Sequence, residues 1–348
     1  MPVAALRRVQ PADDRRGNCI PGRALVLCAI AQKDHVMQFR NLGRSGLRVS
    51  LVGLGCNNFG GRIDLDATRK VVDAAIEHGI TLFDTADIYG EKGGSETCLG
   101  QVLGARRKDI VLASKFGMKM FHGGIGGSRR YIMSAVEESL TRLKTDWIDL
   151  YQFHQPDPLT PIDETLRALE DLVTDGKVRY IGCSNMPGWQ IADAQWTARD
   201  LRIGGFASAQ DEYSLLKRGA EKDLIPAIRH FGMGLLPYFP LANGALTGKY
   251  RRNAPMPEGA RLTKLPERAG QIFSEENWTK IEALTAFVEA RGKTLVELAF
   301  SWLAAQPVVS SVIAGATKPE QIAANVKAAE WVLTAEDLAE IDRITGTA

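Results

Sequence analysis

From residue 38 onward, short apolar runs rich in β-branched residues alternate with stretches whose apolar positions repeat at helical spacing. Eight such runs fall at 51–54, 81–84, 110–115, 147–154, 178–184, 206–211, 234–238 and 311–314. Between them Ile132, Val136, Leu140 and Leu143 step at i, i+4, i+8 and i+11, and Ile162, Leu166, Leu169 and Val173 step at i, i+4, i+7 and i+11. Each set occupies one face of a helix, which gives that helix a single stripe to bury. Regular strand and helix alternation implies parallel strands joined by crossover helices. Eight units with no linker at the midpoint predict an α/β fold of the closed (β/α)8 barrel type rather than an open doubly wound sheet.

Three segments exceed what a minimal barrel needs: 116–130, 241–273 and the tail after Trp331. Loops that follow the strands gather at one mouth of a barrel, so substrate selectivity is expected there. The first segment carries Gly117, Gly123, Gly124, Gly126 and Gly127 and is expected to be mobile rather than packed. The second contains Pro255, Pro257 and Pro266 among many charges and reads as a lid or binding loop. Residues 1–36 have no periodicity. They are expected to be a loose extension, or the product of an upstream start codon, ahead of a barrel spanning 37–348.

Composition narrows the class. The chain of 348 residues is 45% hydrophobic and 24% charged, which fits a globular domain and excludes disorder, collagen and coiled coil. Its 43 Lys and Arg nearly balance 41 Asp and Glu, so no field for nucleic acid or an acidic membrane is implied. Five cysteines (Cys19, Cys28, Cys56, Cys98 and Cys183) form no CxxC pair, which fits a reducing cytoplasm better than a disulfide framework or a zinc site. The apolar run at 24–31 is far shorter than the roughly 20 residues of a spanning helix. Asp13 and Asp14 upstream of it also argue against an export signal.

Three runs end in residues that carry chemistry. LFDTADIYG (82–90) ends its strand in Asp84 and follows it with Asp87 and Tyr89; VLASKFG ends in Lys115; LYQFHQPD carries His154. Each alone has an ordinary structural reading, since carboxylates cap helices and a strand-end histidine usually packs. Their convergence on one barrel mouth favours chemistry. A phenol is protonated at neutral pH and can donate to a carbonyl oxygen that gains negative charge. An ammonium beside it lowers the cost of the phenolate, and a carboxylate keeps that ammonium charged and oriented. Asp84, Tyr89, Lys115 and His154 therefore make a coherent set for carbonyl reduction, with no competing nucleophile, metal-ligand set or glycosidase carboxylate pair.

With those four residues in order at strand ends, the sequence from about Met37 to the C-terminal tail resembles the aldo-keto reductases. That resemblance implies a (β/α)8 barrel, the four residues as the catalytic set, and a nicotinamide cofactor, NADPH with NADH possible. GLGCNNFGG (53–61) lacks the glycine spacing of a Rossmann turn. In the family the cofactor lies across the barrel mouth instead, which implies contacts from Gly55, Cys56 and Asn57. The resemblance further implies Ser184, Asn185 and Gln210 at the carboxamide and Tyr238 stacked on the nicotinamide. Leu241, Gly244 and Lys249 are implied at the pyrophosphate, and Gly315, Thr317, Lys318, Gln321 and Asn325 around the adenine and 2′-phosphate. Lys318 is the residue that favours NADPH. The short tail and the GALTGKY segment are closer to the bacterial and potassium-channel β-subunit-like branch. Two functions stay open on this resemblance: a reductase of small aldehydes or ketones, and a cofactor-binding regulatory module with slow turnover. Oligomeric state is not legible.

Overall fold

A computed structural model describes residues 37–120 and 125–346. In chain order the elements are β1 (Phe39–Asn41), β2 (Arg48–Ser50), β3 (Val52–Gly55), α1 (Leu65–Glu77), β4 (Leu82–Asp84), α2 (Tyr89–Val102) and β5 (Val111–Phe116). They continue with α3 (Arg129–Leu143), β6 (Ile148–Phe153), α4 (Ile162–Thr174), β7 (Val178–Ser184), α5 (Gly188–Leu201), β8 (Ser208–Gln210) and α6 (Leu224–Phe231). The chain then forms β9 (Gly234–Leu235), α7 (Pro266–Ile272), α8 (Glu275–Glu289), α9 (Leu295–Ala305), β10 (Val312–Gly315), α10 (Pro319–Ala328) and α11 (Ala335–Thr345).

The sheet order β10-β3-β4-β5-β6-β7-β8-β9 is parallel throughout. Its two edges meet through Leu235 N–H on Val308 O (2.8 Å) and Ser310 N–H on Leu235 O (2.9 Å), which closes the barrel. All eight strands expected from the sequence are present. The one expected over 234–238 is regular only at Gly234–Leu235, because Pro237 has no N–H for the ladder.

Helix boundaries follow local chemistry. Asp64 caps α1 through Ala67 N, Ser128 caps α3 through Tyr131 N, and Thr294 with Glu297 makes a reciprocal capping box on α9. Each such cap is worth about 1 kcal/mol. The two stripes read from the sequence face the core: Ile132, Val136, Leu140 and Leu143 on α3, and Leu166 and Leu169 on α4, are buried.

A β-hairpin, β1 paired antiparallel with β2, was not expected. Its Leu42 and Val49 pack with Leu82, Ala113, Leu150, Leu236 and Ile313 inside the barrel, forming a floor opposite the mouth. Arg40 fastens it by donating to Ala304 O (2.5 Å) in the last turn of α9 and to Val309 O (2.7 Å) just after it. The expectation of a mobile 116–130 segment is corrected where it is described. Gly126 N–H bonds Gly117 O (3.0 Å), Gly127 N–H bonds Asp157 Oδ2 (2.9 Å), and Thr165 donates to Gly127 O (2.7 Å). Three hydrogen bonds on small buried residues hold this part down. Residues 121–124, and the extension expected over 1–36, lie outside the described residues.

Candidate active site

Strand ends deliver the candidate side chains to one mouth. Asp84 ends β4, Lys115 lies one residue from the end of β5, His154 follows β6, Ser184 ends β7 and Gln210 ends β8. Register sets Lys115 beside Gln152 and Ser184 beside Gln210. The turn after β4 is pinned to β5 by Thr85 N–H on Ala113 O (2.9 Å) and Asp87 N–H on Lys115 O (3.1 Å), and it lifts Tyr89 over the strand ends. Gly90 follows at φ 63. A Cβ there would run into Phe59 O and Ser95 N, so both the left-handed backbone and the close approach require glycine.

Lys115 is wholly buried, and its ammonium donates to Asp84 Oδ2 (2.7 Å), Thr85 O (2.9 Å) and Tyr89 OH (3.4 Å). All three N–H donors are used. Asp84 Oδ1 accepts from Gln152 Nε2 (3.1 Å) and Gln210 Nε2 (2.9 Å). Because the Tyr89 oxygen accepts from Lys115, its own proton remains for the mouth. His154 sits edge-on to the Tyr89 ring, with centroids 5.7 Å apart.

The charges divide in a useful way. Burial disfavours the Lys115 ammonium, but Asp84 and Tyr89 together outweigh it and raise its pKa. Burial raises the Tyr89 phenol; Lys115 pulls it down without overcoming burial. The sequence reading emphasised only the second effect, yet the result is a firmly protonated donor. Burial, reinforced by Lys115, drops His154 to about 3, so its imidazole is neutral. Its Nδ1 is buried without a partner. An orphaned buried N–H costs more than an orphaned lone pair, so the proton belongs on Nε2, facing the cleft.

Above this cluster runs an open cleft of about 570 Å³, lined by Tyr89 and His154 at one end and by Gly315, Thr317 and Gln321 at the other. Of the residues read from the sequence, Gly55, Asn57, Asp84, Ser184, Asn185, Gln210, Tyr238, Leu241, Gly244 and Lys249 also line it. Asn185, at φ 57, donates to His154 O (2.9 Å) and accepts from Tyr238 OH (2.8 Å). Gln210 spends its amide N–H on Asp84, which leaves its carbonyl oxygen for a ligand. Cys56, Lys318 and Asn325 are not brought to this lining. Cys56 is fully buried with its Sγ on Leu54 O, and Asn325 is buried on α10.

Sequence reasoning missed Asn58, Arg62, Asn243 and Arg261, which line the cleft. Asn243 is buried with neither side-chain amide atom partnered, which suits a polar ligand group. Arg62, Lys249 and Arg261 make no carboxylate ion pair among the described residues, and burial beside Arg62 and Arg268 lowers the pKa of Arg261. Unanswered positive charge along a polar cleft suits an anionic ligand. The available signal was the charge density of 241–273, which spacing alone could not aim. These residues fit a nicotinamide dinucleotide: carbonyl and amide groups at the Tyr89 end, cations along its length.

Among the described residues no helix is long and apolar enough to cross a membrane, and no three His, Cys, Asp or Glu side chains converge as a metal site. The chain is 36% identical over 321 residues to a protein of Oryza sativa subsp. japonica named a probable voltage-gated potassium channel subunit beta, covering 88% of this chain and 96% of that one. It is 38% identical to an uncharacterized oxidoreductase of Bacillus subtilis over the same shares of the two chains. With an L-glyceraldehyde 3-phosphate reductase of Escherichia coli strain K12 it shares 33% identity, over 92% of this chain and 95% of that one. The family model for the aldo/keto reductases matches residues 51–345, from the first barrel strand through α11. With Asp84, Tyr89, Lys115 and His154 gathered at the mouth of an eight-stranded parallel barrel, the chain belongs to the aldo/keto reductase family.

Proposed function

We propose that the chain reduces small aldehydes and ketones with NADPH, and that Tyr89 is the proton donor. The observation that carries this reading is the Tyr89 hydroxyl, which accepts from Lys115 and keeps its own proton for the cleft. When bound, the reduced nicotinamide cofactor supplies the hydride. Tyr89 gives its proton to the carbonyl oxygen as negative charge develops there. Lys115 stabilises the phenolate left behind, and Asp84 keeps Lys115 charged and aimed. The neutral His154 orients the carbonyl oxygen through Nε2–H. The open mouth favours small polar or aromatic carbonyl compounds, and the partners on this reading are such substrates rather than nucleic acid or a membrane. Cys56, Cys98 and Cys183 are free and buried, which supports a cytoplasmic location.

On this reading the preference for NADPH comes from Arg62 and Arg261, which line the cleft, rather than from Lys318, which does not. Arg261→Leu is expected to weaken NADPH binding about tenfold, the worth of one charge-assisted contact, and NADH binding by less than about twofold. Titration of tryptophan fluorescence with each cofactor measures both. Equal losses would remove Arg261 as the source of the preference.

One finding favours the regulatory reading: relatives named as channel β subunits match over most of the chain. Steady-state turnover of an activated aromatic aldehyde with NADPH separates the two. Many rapid turnovers are expected, whereas a single slow oxidation per bound cofactor would establish the regulatory module. Residues 1–36 are proposed to lie outside the catalytic unit, so a chain beginning at Met37 should turn over at the same rate.

A further inference from the structure

Asp87 belongs to the LFDTADIYG motif, but the chemistry above does not use it. It is 1% exposed, does not line the cleft, and sits two residues before Tyr89. Its backbone N–H holds the turn to Lys115 O (3.1 Å), while its carboxyl is directed into the protein. There Tyr131 OH, from α3, donates to Oδ2 at 3.4 Å, and Oδ1 has no partner.

The surroundings are crowded with titratable groups. From α2 comes Glu96, itself fully buried and bonded to Ser114 Oγ and to Arg142 Nε (2.7 Å). From α3 come Tyr131, Arg142 and Glu138, which pairs with Arg142. From β6 comes Tyr151, fully buried with an unpartnered hydroxyl. Lys115, on β5, is committed to Asp84, Thr85 and Tyr89. Arg142 is the cation that faces this chamber among the described residues and is already bonded to Glu96, so among those residues no second cation is left for Asp87.

We propose that Asp87, as a neutral carboxylic acid, is a positioning residue that holds the 84–89 turn so that Tyr89 is aimed at the substrate, and that its ionisation releases that aim. This inference rests on the reading of Tyr89 as proton donor. A buried carboxylate whose one side-chain donor is weak and one of whose oxygens is orphaned is a costly species. It lowers its energy by moving toward water, and the backbone that moves with it is the turn that carries Tyr89. Burial first, then the charge of Glu96, lifts the Asp87 carboxyl to about 7; Arg142, the Ile88 backbone N–H and Tyr131 pull it back only partly. The acid is therefore neutral in mildly acidic solution and loses its proton across the physiological range.

The test is the pH dependence of the hydride-transfer rate, read by loss of cofactor absorbance in single turnovers of the full chain from pH 5.5 to 8.5. Tyr89 and Lys115 are shifted to high pH and His154 to about 3, so none of them titrates in that window. Asp211, lifted to about 8 by burial next to Asn185, is the other candidate and needs its own control. The parent rate is expected to fall by at least about threefold from pH 6 to 8.5, with cofactor affinity and substrate KM unchanged. Asp87→Asn, which cannot ionise, should hold the high rate throughout, while Asp211→Asn should keep the parent's fall. A level parent profile, a fall confined to KM, or an Asp87→Asn profile that falls like the parent would overturn the proposal. If Asp87→Asn fails to fold, Tyr131→Phe decides: it removes a hydrogen bond that favours the ionised acid, so the midpoint must move to higher pH, and an unmoved midpoint overturns the inference. None of these outcomes is the one that would dismiss Tyr89 as donor, namely Tyr89→Phe reducing substrate at the parent rate.

Discussion

Tyr89→Phe is expected to lower turnover by roughly 10²-fold or more while cofactor affinity stays within about twofold. The substitution removes one oxygen from a half-buried ring and keeps the edge-on packing against His154. Lys115 then loses one of its three acceptors but keeps Asp84 and Thr85, so the cluster beneath the ring survives. What disappears is the proton facing the cleft. His154→Gln should cost less, because a glutamine amide can still donate to the carbonyl oxygen and because the histidine, neutral near pH 7, supplies no charge. The checks are steady-state rates beside fluorescence titrations of the cofactor on each variant. A folded, cofactor-loaded Tyr89→Phe that works at the parent rate would falsify the assignment.

The order of these effects reflects how the site is built, and much of that building was legible. Strand ends in a parallel barrel share one mouth, so Asp84, Lys115 and His154 could be placed together from alternation alone. The floor was not legible. Its hairpin strands are three residues each, too short for an alternating pattern to emerge, and Leu42 and Val49 gain their role only by filling the barrel interior. Cys56 shows a different limit. It lies between Gly55 and Asn57, and the alternation of side chains at a strand end turns the middle residue away from the face its neighbours share. Arg62 and Arg261 lie on loops, where spacing carries no direction. Their charge was visible and their destination was not. Asn243 is similar: only its buried, unpartnered amide marks it. The motif turn held one more signal. Two carboxylates three residues apart, Asp84 and Asp87, look alike in sequence, yet one pairs with a lysine in the mouth and the other enters a chamber where the cation among the described residues, Arg142, is already committed to Glu96.

Lys115→Met should impair the protein twice, in stability and in rate, and the two losses can be measured apart. Removing one member of a fully buried ion pair leaves Asp84 uncompensated, which costs about 3–5 kcal/mol in comparable sites. Gln152 and Gln210 still donate to Asp84 Oδ1, so the lower end of that range is expected, a fall in Tm of roughly 6–10 °C for a chain of this size. The dependence on pH follows from the sign of the Lys115 shift. Its pKa in the folded protein is raised, so the stabilisation it contributes is fully present below the ordinary lysine range and is lost only as pH climbs through the raised value. The stability gap between parent and variant should therefore be level from pH 6 to 9 in denaturant titrations. Turnover, measured well below the variant's Tm, should fall on the order of 10²-fold because the phenolate of Tyr89 no longer has a cation 3.4 Å away. A variant that melts early yet reduces substrate at the parent rate would confine Lys115 to a structural role, and Tyr89 would then have to find its phenolate stabilisation elsewhere.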